Sequence, residues 1–135
     1  AIDGEVVIVA HSAGCLTTVH WALAPTRTIR AALLVTPADI ETPLPAGYPE
    51  PAALKQGGWF PIPRKPLPFP AITVASRNDP LAAFDRVVSF ADAWGTALHD
   101  AGEVGHLNPA AGYGPWPALF GLLDRLDDHA RAATL

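Results

Sequence analysis

The stretch Val6-Val7-Ile8-Val9-Ala10-His11-Ser12-Ala13-Gly14 constrains this chain more than any other. A continuous β-branched run is the pattern of a strand buried on both faces. The run ends at a polar residue, a serine, a small residue and a glycine, and helical spacing follows at once. In an open α/β sheet, ligands and reacting groups gather at the carboxyl ends of the strands. A serine on a tight strand-to-helix turn at that edge is a candidate nucleophile.

The remaining pattern supplies the sheet that such a turn needs. Residues 5–10 read as the first strand and 13–23 as a helix, with Leu16, Val19, His20 and Leu23 near one stripe and Pro25 closing it. A second apolar strand spans 29–35 and stops at Thr36-Pro37. Residues 38–70 are proline-rich and irregular, with Trp59 and Phe60 adjacent. Long irregular segments inside compact domains tend to be functional loops. This one reads as an excursion over the sheet edge with one helical turn at 52–56. A third strand at 71–76 meets the sharp turn Arg77-Asn78-Asp79-Pro80. A helix over 81–94, with Phe84, Val87, Val88, Phe90, Ala91 and Trp94 apolar, stops at Gly95. A short strand at 96–100, a glycine- and proline-rich loop at 101–117 and a closing helix at 118–133 complete the chain. In that last helix Leu119, Phe120, Leu122, Leu123 and Leu126 are expected inward. Strands alternating with helices predict an α/β fold in three α/β/α layers, with a mostly parallel sheet of four strands and the nucleophile strand at an edge. The 135 residues suit one domain over 1–135.

Composition narrows the function classes. Half the residues are apolar, 16% are charged, and the net charge is −4. A negative surface repels phosphate backbones, so no nucleic-acid partner is expected. One cysteine excludes an internal disulfide and a cysteine-rich metal site, and no histidine pair has helical zinc spacing. No metal or cofactor is expected. No apolar run approaches the roughly 20 residues of a membrane span, and no secretory signal opens the chain. The expected compartment is the cytoplasm, with no membrane partner.

Three polar residues stand at or just beyond predicted strand ends, namely Ser12, Asp79 and His106. Parallel strands bring their carboxyl ends to one edge, so the three can converge. The order Ser…Asp…His is that of α/β-hydrolase triads. A serine hydroxyl needs a base to attack at neutral pH, an imidazole can take and return its proton, and a carboxylate holds the imidazole in the required tautomer. The turn would also aim the Ala13 N–H at a developing oxyanion. Ala10 replaces the first glycine of G-x-S-x-G, and Gly14 is expected where a side chain would crowd the elbow. Each residue also has a bland reading: Ser12 as a helix cap, Asp79 as a turn former, His106 as a loop histidine. Asp100 and Asp39 are rival acids, and Cys15 is a buried small residue or, as a weaker alternative, a thiol nucleophile.

Several segments together resemble a known family. These are Val9-Ala10-His11-Ser12-Ala13-Gly14-Cys15, Leu67-Pro68-Phe69-Pro70, Ala75-Ser76-Arg77-Asn78-Asp79-Pro80, Trp94-Gly95, Gly105-His106-Leu107-Asn108 and Gly112-Tyr113-Gly114-Pro115-Trp116-Pro117. The chain is similar to the retinoblastoma-binding-protein-9-type (YdeN-like) serine hydrolases of the α/β-hydrolase superfamily. The resemblance implies Ser12 as nucleophile, Asp79 as acid and His106 as base, with residues 60–63 near the site. The Leu-x-Cys-x-Glu signature of retinoblastoma-protein ligands is absent around Cys15, so no such partner is expected. Family members carry a strand, a glycine-rich loop, a helix and another strand before the nucleophile strand, whereas here that strand begins at Glu5. The expectation is a chain truncated at its N-terminus, lacking the second oxyanion donor and weak as a catalyst. Its first strand would be an open edge able to pair in a homodimer.

The expected activity is serine-hydrolase cleavage of small esters, thioesters or amides through an acyl-enzyme. A non-catalytic interaction module on the same fold is the alternative. Expected substrate contacts are His11, Trp59, Phe60, Leu81, Leu107 and Asn108.

Overall fold

A computed structural model describes residues 2–134. Four strands form one sheet: β1 (Val7–His11), β2 (Ala31–Val35), β3 (Ala71–Ala75) and β4 (Ala97–Asp100). They lie in the order β1-β2-β3-β4 and every pairing is parallel. Helices α1 (Ala13–Trp21), α3 (Phe84–Trp94) and α4 (Ala118–Ala133) pack on the sheet, and α2 (Pro51–Gln56) lies in the proline-rich segment. The fold is three-layered α/β/α. The period-two alternation of a strand divides β2 between the two faces. Ala32 and Leu34 pack with Leu16 and Val19 of α1 and with Phe90 and Trp94 of α3. Ala31, Leu33 and Val35 pack with Leu122, Leu126 and Ala130 of α4. β2 and β3 are buried at every position, as apolar central parallel strands must be.

β1 departs from the expectation of burial on both faces. It is an edge strand of the described sheet, and Val7 and Val9 are 43% and 52% exposed. Both pair with β2 residues that face α4, so the bare stripe lies on the α4 side. Phe120 is the second correction. Expected inward, it is 69% exposed, because the buried stripe of α4 runs through Leu122, Leu126 and Ala130 and leaves Phe120 on its flank. Val88 likewise lies at the exposed margin of α3.

Two helix boundaries moved for identifiable reasons. α1 ends at Trp21, not 23, because the Leu23 and Ala24 N–H groups turn back to His20 and Trp21 in a tighter coil. α3 begins at Phe84, not 81. The Leu81 N–H is held by the Asp79 carboxylate at 2.9 Å, and the Leu81 carbonyl accepts from the Asp39 N–H. That residue is therefore unavailable to the helix. Gly95 stops α3 in the left-handed conformation at φ 69°. A 3₁₀ turn at Pro109–Ala111, which nothing in the pattern announced, interrupts the loop before α4.

The proline-rich excursion is tied down by an ionic latch. Asp39, with a fully buried carboxylate, receives the Arg86 guanidinium at 2.8 and 3.1 Å. Arg86 also reaches Glu41 at 3.0 Å, and Glu41 binds Arg64 and the Ile62 N–H. Arg64 and Arg86 both lie over the Phe90 ring, 5.3 and 5.1 Å from its centroid. Residues from after β2, from the excursion and from α3 thus meet in one charged cluster.

Two predictions follow from the latch. Arg86→Met leaves the Asp39 carboxylate buried without its cation and should cost about 2–3 kcal/mol in urea unfolding. Adding Asp39→Asn should recover part of that loss. The bonded Arg64 guanidinium holds the Glu41 carboxyl down at about 2. A carboxylate lowered on folding adds stability above its ordinary range, and that stability is lost as pH falls toward the folded value. Between about pH 5 and about pH 2.5, wild-type urea midpoints should fall more steeply than those of Glu41→Gln.

Candidate active site

β1 ends in a strained turn. Ser12 sits at φ 58° and ψ −122°, a conformation that ordinary side chains avoid. Its side chain makes no helix-capping bond, so the cap reading of this serine does not hold. Thr36, just past β2, and Leu107, beside His106, also have positive φ, at 41° and 49°. Such residues cost roughly 1–3 kcal/mol each and cluster at functional sites. These three stand beside one carboxyl edge of the sheet or in the His106 loop. Gly14 does not relieve crowding as expected: a side-chain carbon there would meet the Ala10 methyl at an ordinary 3.7 Å.

The structure brings Ser12, His106 and Asp79 into one hydrogen-bonded chain. His106 Nε2 lies 2.7 Å from Ser12 Oγ, and its Nδ1 lies 3.0 Å from both Asp79 oxygens. A carboxylate can only accept, so Nδ1 carries the proton and Nε2 is left to accept from the serine hydroxyl. The imidazole and carboxylate are nearly sealed from water, at 6% and 2% exposure. The Ala13 N–H opens α1, where first-turn donors have no intrahelical acceptor.

The loop bearing His106 is pinned from three sides. The His106 carbonyl accepts from His11 Nε2 at 2.7 Å and from the Thr36 hydroxyl at 3.3 Å. The Gly105 N–H donates to the Asn78 side-chain oxygen at 2.7 Å. Asn78 also accepts from the Ser76 hydroxyl, which in turn accepts from the Val104 N–H. Gly105 has no substitute here: φ is 59°, and a Cβ would come within 2.8 Å of the Ala111 methyl. The sequence alone assigns no role to Thr36, Ser76 and Asn78. Ser76 and Asn78 bond to each other locally, but their partners in the His106 loop lie 28 and 27 residues away and that of Thr36 lies 70 away, so the available signals were their place beside strand ends and, for Ser76 and Asn78, the family-like motif that contains them.

The rival acids are otherwise engaged. Asp100 is bonded to Arg77 at 2.7 and 2.9 Å, and Asp39 belongs to the latch. Cys15 is wholly buried, its thiol set against the Ala10 and Val35 carbonyls. Burial pushes that thiol far above its ordinary range, so it is not a thiolate at neutral pH.

An apolar cavity of about 210 Å³ opens beside Ser12 and Ala13. Ala38, Ile40, Leu44, Leu54, Trp59 and Leu81 form its walls, with Tyr48 and Pro49 also lining it. Of the six residues expected to touch substrate, Trp59 and Leu81 line this cavity. His11 and Leu107 line a separate space of about 210 Å³ with Tyr113 and Trp116. Phe60 and Asn108 line neither. Phe60 packs against the core, and the Asn108 side chain caps the 3₁₀ turn by accepting from the Ala111 N–H, because local bonding at Pro109–Ala111 claims it. A larger cavity, about 750 Å³, lies by Arg27, Arg30 and Phe69 at the opposite end of the sheet. It is remote from Ser12, and both arginines there already have partners.

Cys15 offers a direct check on the site. Iodoacetamide should leave it unmodified in the native protein and alkylate it in urea, as read by intact mass. Native alkylation at the rate of an exposed thiol would contradict its burial.

The serine hydrolase family profile matches residues 1–125. A YdeN-like hydrolase from Pectobacterium atrosepticum is similar at 34% identity and a TM-score of 0.73, over 98% of this chain and 63% of that one. The ydeN gene product of B. subtilis shares the fold at 17% identity and a TM-score of 0.66, over 90% of this chain and 65% of that one. Est816, described as an N-acyl homoserine lactone degrading enzyme, shares the fold at 16% identity and a TM-score of 0.60, over 90% of this chain and 66% of that one. The chain thus spans less than two thirds of the length of each. No curated protein matches the sequence. The profile match, the parallel α/β/α architecture and the likeness to a YdeN-like hydrolase lead to one conclusion: the chain belongs to the serine hydrolase family, within the α/β-hydrolase superfamily.

Proposed function

We propose that the protein hydrolyses small esters through an acyl-enzyme on Ser12. The observation that carries this reading is the unbroken chain from Ser12 Oγ through His106 to Asp79, at 2.7 and 3.0 Å, with Ser12 held at φ 58°. His106 takes the hydroxyl proton as Ser12 Oγ bonds to the acyl carbon. Asp79 stabilises the imidazolium and fixes its orientation. The Ala13 N–H supports the oxyanion. The ester C–O bond then breaks, and His106 returns the proton to the departing alcohol. A water molecule, deprotonated in the same way, releases the carboxylic acid and restores Ser12. Thioesters follow the same path with a better leaving group, and amides with a harder one, an amine that must take the His106 proton to depart. His11 and Thr36 act indirectly, by holding the His106 carbonyl.

Covalent labelling with a fluorophosphonate, read by intact mass, tests the reading. Wild type should gain one adduct on Ser12, and Ser12→Ala should gain none. Ester turnover should fall by roughly 10³-fold or more in Ser12→Ala, and by roughly 10²–10⁴ in Asp79→Asn, which leaves the imidazole in the wrong tautomer. Equal labelling of wild type and Ser12→Ala would overturn the assignment.

A further inference from the structure

We propose that the cavity beside Ser12 is an acyl-binding site for an uncharged chain of about four to eight carbons. The proposal rests on the reading of Ser12 as nucleophile. Its first support is position. Ser12 and Ala13 line the cavity, whereas His106 does not. A leaving group must collect its proton from His106 Nε2, so it departs on the imidazole side. The part of the substrate that stays on Ser12 is the part the cavity can hold.

The second support is the chemistry of the walls. No charged residue lines the space among the described residues, and Tyr48, 43% exposed, brings the one lining hydroxyl other than Ser12's. The segment after β2 is built to produce this. Ala38 and Ile40 line the cavity, while the intervening Asp39 and the following Glu41 are bonded to Arg86 and Arg64. Alternate residues of this segment thus serve two different environments, and both acidic groups are neutralised in the latch. A free ammonium or carboxylate entering the cavity would lose its hydration with no partner in return, a severe cost. An alkyl chain has no hydrated charge to strip and gains the burial, which outweighs the chain freedom it gives up.

The third support is rigidity. The Trp59 N–H donates to the Leu54 carbonyl at 3.0 Å, and His20 Nε2 donates to the Trp59 carbonyl at 3.1 Å. The Leu81 carbonyl accepts from the Asp39 N–H. Walls from the proline-rich excursion and from the turn after β3 are therefore bonded in place, which favours a shaped pocket over an adaptable surface. The size sets the chain length. At about 30 Å³ for each water-sized group, the space holds roughly seven such groups.

The test is kcat/KM for p-nitrophenyl esters from acetate to laurate, with an α-amino acyl ester of matched length beside the hexanoate. Values should rise by roughly fourfold per methylene up to about hexanoate and fall by laurate. The charged α-amino ester should be at least about tenfold poorer than its neutral counterpart. In Leu44→Trp, which fills the cavity, the hexanoate-to-acetate ratio should drop by about tenfold or more while a small fluorophosphonate still labels Ser12. A flat chain-length profile, or a preference for the amino ester, would overturn the acyl site, with or without a folded Leu44→Trp protein. An unchanged ratio in a folded Leu44→Trp would do the same. Wild-type protein that neither labels nor turns over any ester overturns the hydrolase reading itself, a different result from the first three.

Discussion

The Ser12 N–H donates to the Val35 carbonyl at 3.0 Å, extending the β1–β2 ladder one residue past β1. That bond holds the backbone at φ 58° while α1 starts at the next residue. The strained turn exposes a hydroxyl that a relaxed helix cap would fold back onto its own amides. Everything else at the site is referred to that hydroxyl. His106 reaches it from a loop pinned by Asn78, His11 and Thr36, and Asp79 supports the imidazole from the turn after β3. The strain at Ser12, Thr36 and Leu107 persists because buried neighbours over-determine it.

A second arrangement, chemically separate from the first, shapes the space beside Ser12. The Asp39–Arg86 and Glu41–Arg64 pairs gather acidic groups that would otherwise border an apolar cavity. Arg86 comes from α3, and α3 starts late because Leu81 is bonded to Asp79 and Asp39. The acid of the hydrogen-bonded chain and the wall of the cavity therefore share one turn, 79–81. Alignment of His106 and the form of the pocket are coupled through that turn.

Much of this was legible from residue types and their order. Apolar β-branched runs marked the strands, and Ser12, Asp79 and His106 stood at or beyond their ends in a readable order. The cavity was only partly legible. Trp59 drew attention as an aromatic adjacent to Phe60 and Leu81 as the residue after Asp79-Pro80, but Ala38, Ile40 and Leu44 lie in an excursion without periodicity. Asp39 read as a rival acid because its partner, Arg86, lies 47 residues away. Phe120 and Val9 read as buried because apolar character sets what can be buried, not what is covered.

By itself, the amino-acid sequence determined the alternation of strands and helices, the parallel sheet this alternation requires, and the edge at which three polar residues stand. Local rules suffice there, since side-chain periodicity and turn chemistry act over a few residues. Only the tertiary structure decided which groups meet at that edge. It put Asp79 and not Asp100 or Asp39 against His106, buried the Cys15 thiol, and turned alternate residues of 38–41 toward a cavity and toward arginines. Those outcomes depend on contacts between residues tens of positions apart, whose energies come from burial and pairing that no local pattern encodes.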